Sequence, residues 1–239
     1  MIGRKPPAAC RAPAATRWVI GAAFSALALW PVPARAQAAP LGGRFEVAAG
    51  GLWVQGTSVG GADATETAPD GTRFRLFASR GSLGPAPGLE GRFGVRLGSV
   101  LRLEGSGSFA KPDLRVRISS DVEGISDLTL AETVSQWTIE AALVAYLARW
   151  RVGPRGIPFV SAGAGYLRQI HEGGTLADNG RTYRVGGGVD YPLTRARSGR
   201  LKSAGLRVDV RAAIRTGGAR FDDRVRVAPA VGASLFVRF

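Results

Sequence analysis

Hydrophobic and polar residues alternate one by one along most of this chain. The stretch "VRVAPAVGASLFVRF" (225–239) shows it well: Val225, Val227, Pro229, Val231, Ala233, Leu235, Val237 and Phe239 fall on one side. Arg226, Ala228, Ala230, Gly232, Ser234, Phe236 and Arg238 fall on the other. A period of two places alternate side chains on opposite faces of a β-strand. "GLRVDVRAAIR" (205–215) sets Leu206, Val208, Val210, Ala212 and Ile214 against Arg207, Asp209, Arg211 and Arg215. The same alternation runs through 44–54, 88–98, 100–109, 136–148, 158–170 and 182–193, while segments with helical period are scarce.

These segments predict about eight strands, each near the ~9–11 residues that a tilted strand needs to cross a bilayer. Gly98-Ser99 makes a tight turn between the second and third. Two long stretches, 55–87 and 111–132, read as connections at the opposite end, parts of which extend the flanking strands. Long connections at one end and short ones at the other match transmembrane barrels. Alternation alone leaves two solvents open for the apolar face: a protein core in a soluble barrel, or lipid in a membrane barrel.

The beginning of the chain bears on that choice. Of the net charge of +14, five units come from Arg4, Lys5, Arg11, Arg17 and Arg35, with no acid before residue 37, leaving +9 for the rest. Basic residues, the apolar run "WVIGAAFSALALW" and Ala34-Arg35-Ala36 form a cleavable signal pattern, so residues 1–36 are expected to be a signal peptide and 37–239 the mature domain. The single cysteine, Cys10, leaves with the signal. An exported chain with no further long apolar helix enters a membrane only as a closed sheet.

The polar face carries both charge signs. By strand parity it holds Arg92, Arg96, Arg102, Arg184, Arg207, Arg211, Arg215, Arg226 and Arg238, with Glu46, Glu90, Glu104, Glu140, Asp190 and Asp209. A small barrel is filled by its own side chains, so charges there pair or meet water. These residues are candidates for a lumen ion-pair network. Phe45, Trp53, Trp137, Tyr183, Tyr191 and Phe239 lie near the ends of apolar faces, where interfacial girdles form. A one-residue slip would turn Arg207 and Arg211 to lipid, so register is firmly set.

On the signal "WVIGAAFSALALWPVPARA", the first strand "FEVAAGGLWV", the Gly-rich "PFVSAGAGY" and "RVGGGVDY", and the ending "GASLFVRF", the chain resembles bacterial outer-membrane β-barrel proteins of the small OmpA/OmpX-like kind. The resemblance implies an all-β fold, an eight-stranded antiparallel up-and-down transmembrane β-barrel. It implies residence in the bacterial outer membrane among its lipids. It also implies recognition of the C-terminal strand, ending in Phe239, by the barrel-assembly machinery. Such barrels serve as anchors, adhesins, channels or enzymes, so the resemblance names no activity.

Candidate chemistry is thin. "GSGSFA" (105–110) fits a loose dinucleotide pattern, but Lys111-Pro112 follows instead of a helix; the glycines are expected to relieve crowding. His171, the one histidine, suggests a lipid-modifying enzyme as one alternative, yet no His-x-Ser pattern accompanies it. Nine Arg against six acids in the lumen suggest a narrow anion-preferring pore as another. Acidic residues gather in the long outer connections (Asp63, Glu66, Asp70, Asp121, Glu123, Asp127, Asp222, Asp223), where they invite divalent cations or a basic surface partner. Basic residues gather in the short turns (Arg149, Arg151, Arg155, Arg195, Arg197, Arg200, Lys202), within reach of phospholipid headgroups. No cofactor or metal pattern is present, and the divided charge speaks against nucleic acid. The reading preferred is a structural or surface-interaction role through the outer loops.

Overall fold

The computed structural model describes residues 42–119, 126–174, 176–195, 200–219 and 225–239. The expected signal peptide lies outside the described residues. Twelve strands follow in order: β1 (Phe45–Val54), β2 (Thr57–Thr67), β3 (Arg73–Leu83), β4 (Ala86–Arg96), β5 (Leu101–Ala110), β6 (Asp113–Ser119), β7 (Leu128–Thr133), β8 (Ser135–Tyr146), β9 (Ile157–Ile170), β10 (Ala177–Arg195), β11 (Ser203–Gly217) and β12 (Arg226–Arg238).

Eight of them close into one antiparallel barrel in the order β1-β12-β11-β10-β9-β8-β5-β4. The last strand seals it against the first, with Glu46 opposite Arg238 and Val54 opposite Ala230. Closure leaves no edge in the membrane-spanning wall, which is what lipid demands of a sheet.

The other four strands depart from the sequence-based expectation. Stretches 55–87 and 111–132 are not merely connections. Each supplies a hairpin, β2–β3 and β6–β7, and the two hairpins pair through β3 and β6 into a four-stranded sheet, β2-β3-β6-β7. Only one or two residues separate β1 from β2, β3 from β4, β5 from β6 and β7 from β8. Half of the barrel wall therefore continues beyond the rim. Alternation persists there: Leu114, Val116 and Ile118 oppose Arg115 and Arg117 on β6. At the far end the β4–β5 turn is tight, closed by the Leu97 N–H donating to the Leu101 carbonyl at 3.0 Å.

The outer wall is apolar and bare. Leu89 is 71% exposed and Ile139 70%. Val185, Val208, Val210, Val227, Val231 and Leu235 share that face. An apolar belt running around a whole barrel far exceeds the few hundred Å² that soluble proteins leave exposed, so it fits a lipid solvent. Aromatics border it: Phe45 and Phe93 stack at 6.2 Å near one end, and Phe109 and Trp137 meet at 4.4 Å near the other. Phe45 and Trp53 are eight residues apart on β1, or ~26 Å along a strand.

Candidate functional site: the charged lumen and the outer rim

Strand parity aims the even-numbered residues of β1, β4, β5, β8 and β10 inward, together with the odd-numbered residues of β9 and β11 and the even-numbered ones of β12. Six carboxylates lie buried there: Glu46, Glu90, Glu104, Glu140, Asp190 and Asp209. Six arginines join them: Arg92, Arg102, Arg184, Arg207, Arg211 and Arg238.

They form one connected network. Near the short-turn end, Glu46 binds Arg102 and accepts from Arg238 Nε at 2.6 Å. Asp190 binds Arg238 and accepts from the Tyr146 hydroxyl at 2.8 Å. Arg207 lies 3.8 Å from Glu46, donates to Glu104 at 2.7 Å and stacks on Phe159, its guanidinium carbon 4.0 Å from the ring centre. Glu104 also takes Arg184 at 3.1 Å, and Arg184 reaches Glu140 at 3.2 Å. At mid-height Glu90 binds Arg92 and receives Arg211 through two bonds of 2.6 and 2.7 Å. Arg92 continues to Asp209 at 2.7 Å. Parallel donation by a guanidinium fork to a carboxylate is the strongest pairing available to neutralise charge out of water.

The remaining three arginines of the polar face sit toward the ends. Arg96 is half-buried near the short-turn end. Arg215 and Arg226 face each other across β11 and β12 near the outer mouth. Arg215 donates to Gln136 at 3.3 Å and Arg226 to the Ser58 carbonyl at 2.7 Å. The count of nine Arg to six acids thus separates into a balanced interior and three mouth residues, which alters the premise of an anion-preferring path.

Apolar clusters bracket the network. Val144, Tyr146, Ile157 and Phe159 pack below it. Val59, Leu83, Leu114 and Val134 pack at the outer end, where the extension sheet meets the barrel. Two cavities near the outer mouth measure about 20 and 40 Å³, one lined by Val59, Leu83, Leu167 and Arg215, the other by Leu52, Gln136, Thr182 and Arg211. Each has room for a water or two. Backbones also crowd the interior. A Cβ at Gly232 would stand 3.1 Å from Arg211 Nη2 and 3.2 Å from Asp209 Oδ1. Gly105 and Gly107 have nothing within 4 Å of a Cβ, so the glycines of "GSGSFA" do not relieve crowding. That segment is strand β5, followed by β6.

No family model matches the chain, and no curated protein matches it either. Solved structures do. Neisserial surface protein A, NspA, aligns with 82% of this chain and 97% of its own at 15% identity and a TM-score of 0.53. The chain has the fold of the eight-stranded outer-membrane β-barrels. The outer-membrane protein OprG of Pseudomonas aeruginosa aligns at 15% identity over 82% of this chain and 97% of its own, TM-score 0.45. Ail, the attachment invasion locus protein of Yersinia pestis, aligns at 10% over 81% and 98%, TM-score 0.36.

His171 follows β9 at the outer rim. Its Nε2 faces Asp178 Oδ2 at 3.0 Å and its Nδ1 faces Glu132 Oε2 at 3.3 Å, while the Glu172 N–H donates to Glu132 at 2.8 Å. Partial burial would lower the imidazole pKa, but hydrogen bonds that the ring donates to Asp178 and Glu132 outweigh it and raise the pKa above 6.5. Both ring nitrogens face carboxylates, and among the described residues no serine or threonine hydroxyl bonds to either. The arrangement ties β7 to β10 through the imidazole.

Three acids of the outer connections, Asp63, Asp70 and Asp127, have partners of their own. Asp63 lies 3.7 Å from Arg75, Asp127 binds Arg117 at 2.5 Å, and Asp70 accepts the Thr72 N–H at 2.8 Å. Asp121, Glu123, Asp222 and Asp223 lie outside the described residues. Among the described residues no group of three or more His, Cys, Asp and Glu could hold a metal ion. Of the basic turn residues, Arg149, Arg151, Arg155 and Arg200 are exposed and Lys202 is half-buried; Arg197 lies outside the described residues. Phe239 is 46% exposed at the barrel seam, its N–H donating to the Phe45 carbonyl at 2.9 Å.

Proposed function

We propose that the protein works in a bacterial outer membrane as a sealed barrel whose business is done at the outer surface by its sheet and loops. The carrying observation is the lumen: six buried arginines and six buried carboxylates fill the interior in a single network. Buried charges close on each other across the lumen, and the three further arginines stand toward the barrel's ends. A sealed wall that continues outward as a four-stranded sheet is suited to present a surface. The arrangement of His171 favours no reaction. Phe239 ends the strand that seals the barrel, which supports reading it as the signal for assembly.

The test is conductance of the refolded full chain in a planar bilayer. The proposal predicts no resolved steps. Stable, anion-selective steps would favour the pore instead.

A further inference from the structure

We propose that Lys111, Arg168 and Arg181 form a binding site for the phosphate groups of lipid headgroups in the leaflet around the outer rim. The inference rests on the membrane reading above. Arg168 and Arg181 are exposed on the outward, lipid-facing sides of β9 and β10. Their positions are diagonal across the ladder, since Arg168 pairs with Asn179 and Arg181 with Tyr166. Diagonal neighbours stand roughly 7–8 Å apart, a span that one phosphate group bridges. Arg168 is directly opposite Trp137, which meets Phe109, and the Lys111 ammonium lies 5.8 Å from the Phe109 ring centre. The three cations and three aromatics Phe109, Trp137 and Tyr166 therefore form one patch across β5, β8, β9 and β10.

Three observations point to a phosphorylated lipid. The patch is continuous with the apolar belt that lipid covers, and its aromatics mark headgroup depth. Neither Arg168 nor Arg181 has an ion pair or side-chain hydrogen bond among the described residues, in a protein whose lumen arginines are lavishly paired. The carboxylate nearest along β6, Asp113, lies two residues past Lys111 and within 4.0 Å of Arg115. A guanidinium on the lipid side of a barrel is unfavourable at the midplane and becomes tolerable at the interface, where it reaches headgroup anions. Arg suits phosphate through its planar fork, and each cation at a charged membrane surface adds to retention.

The test is native mass spectrometry of the full chain in detergent with added diphosphoryl lipid A, with lipid A stripped of both phosphates, and with millimolar inorganic phosphate. Wild type is expected to retain the diphosphoryl lipid about tenfold better than R168Q/R181Q. It is also expected to hold the stripped lipid no better than the variant does, and to keep its lipid when inorganic phosphate is present. Equal retention by wild type and variant, equal retention of both lipids, or displacement by inorganic phosphate would overturn the proposal. If R168Q/R181Q does not fold, R168K/R181K and the two-lipid comparison on wild type decide. A heat-dependent gel shift read on the same samples separates the failures: its presence without phosphate selectivity sinks this site alone, and its absence from wild type sinks the barrel reading.

Discussion

Arg207 shows what one residue does in this interior. Its guanidinium stacks on Phe159, donates to Glu104 at 2.7 Å and lies 3.8 Å from both Glu46 and Asp190. Removing one member of such a buried group leaves the others uncompensated, at a cost of about 3–5 kcal/mol. Glu104→Gln is therefore expected to destabilise the barrel by that order in equilibrium unfolding from micelles. Asp63→Asn, at an exposed pair with Arg75, should cost under about 1 kcal/mol in the same assay. Gly232 is a second sensitive position. Gly232→Val forces atoms toward Arg211, Asp209 and Arg92, all within 3.3 Å of the Cβ position, and should lose about 1–3 kcal/mol through overpacking.

Among the elements, β7 is fastened to the rest of the rim by the His171 latch. The histidine faces Glu132 from β7 and Asp178 from β10, with Glu172 beside it. Its folded pKa is raised above 6.5, so the charged latch is fully present below 6.5 and is lost as pH rises through the raised value. Intrinsic-rate-corrected hydrogen exchange of the β7 amides should be slower below about pH 6 than above about pH 8. His171→Gln should erase that difference. The barrel strands were legible from alternation alone, because a lipid face and a packed face enforce it residue by residue. Arg207, Asp209 and Arg211 fall inside the barrel on that parity. The extension sheet was not legible as a sheet. "LRVRI" in β6 alternates as cleanly as a barrel strand, but pairing of β3 with β6 depends on two hairpins meeting beyond the membrane, which no single segment encodes. The latch also joins residues 39 and 7 positions apart in sequence. Partner acids for outer-surface arginines were hidden for the same reason: Asp127 reads as an open cation ligand until the β6–β7 hairpin sets it against Arg117.

At the scale of the whole molecule, the barrel sets its short turns at one end and the β2-β3-β6-β7 sheet beyond the other. The chain's sole cysteine is Cys10, so an introduced cysteine has one background thiol at most, which Cys10→Ser removes. Thr129 is exposed on β7, and Ser99 is exposed in the β4–β5 turn. The decisive measurement is labelling of intact bacteria with a membrane-impermeant maleimide. The account predicts that Thr129→Cys is labelled on intact cells, while Ser99→Cys is labelled only after the outer membrane is permeabilised. Labelling of Ser99→Cys on intact cells, or protection of Thr129→Cys until permeabilisation, would contradict it.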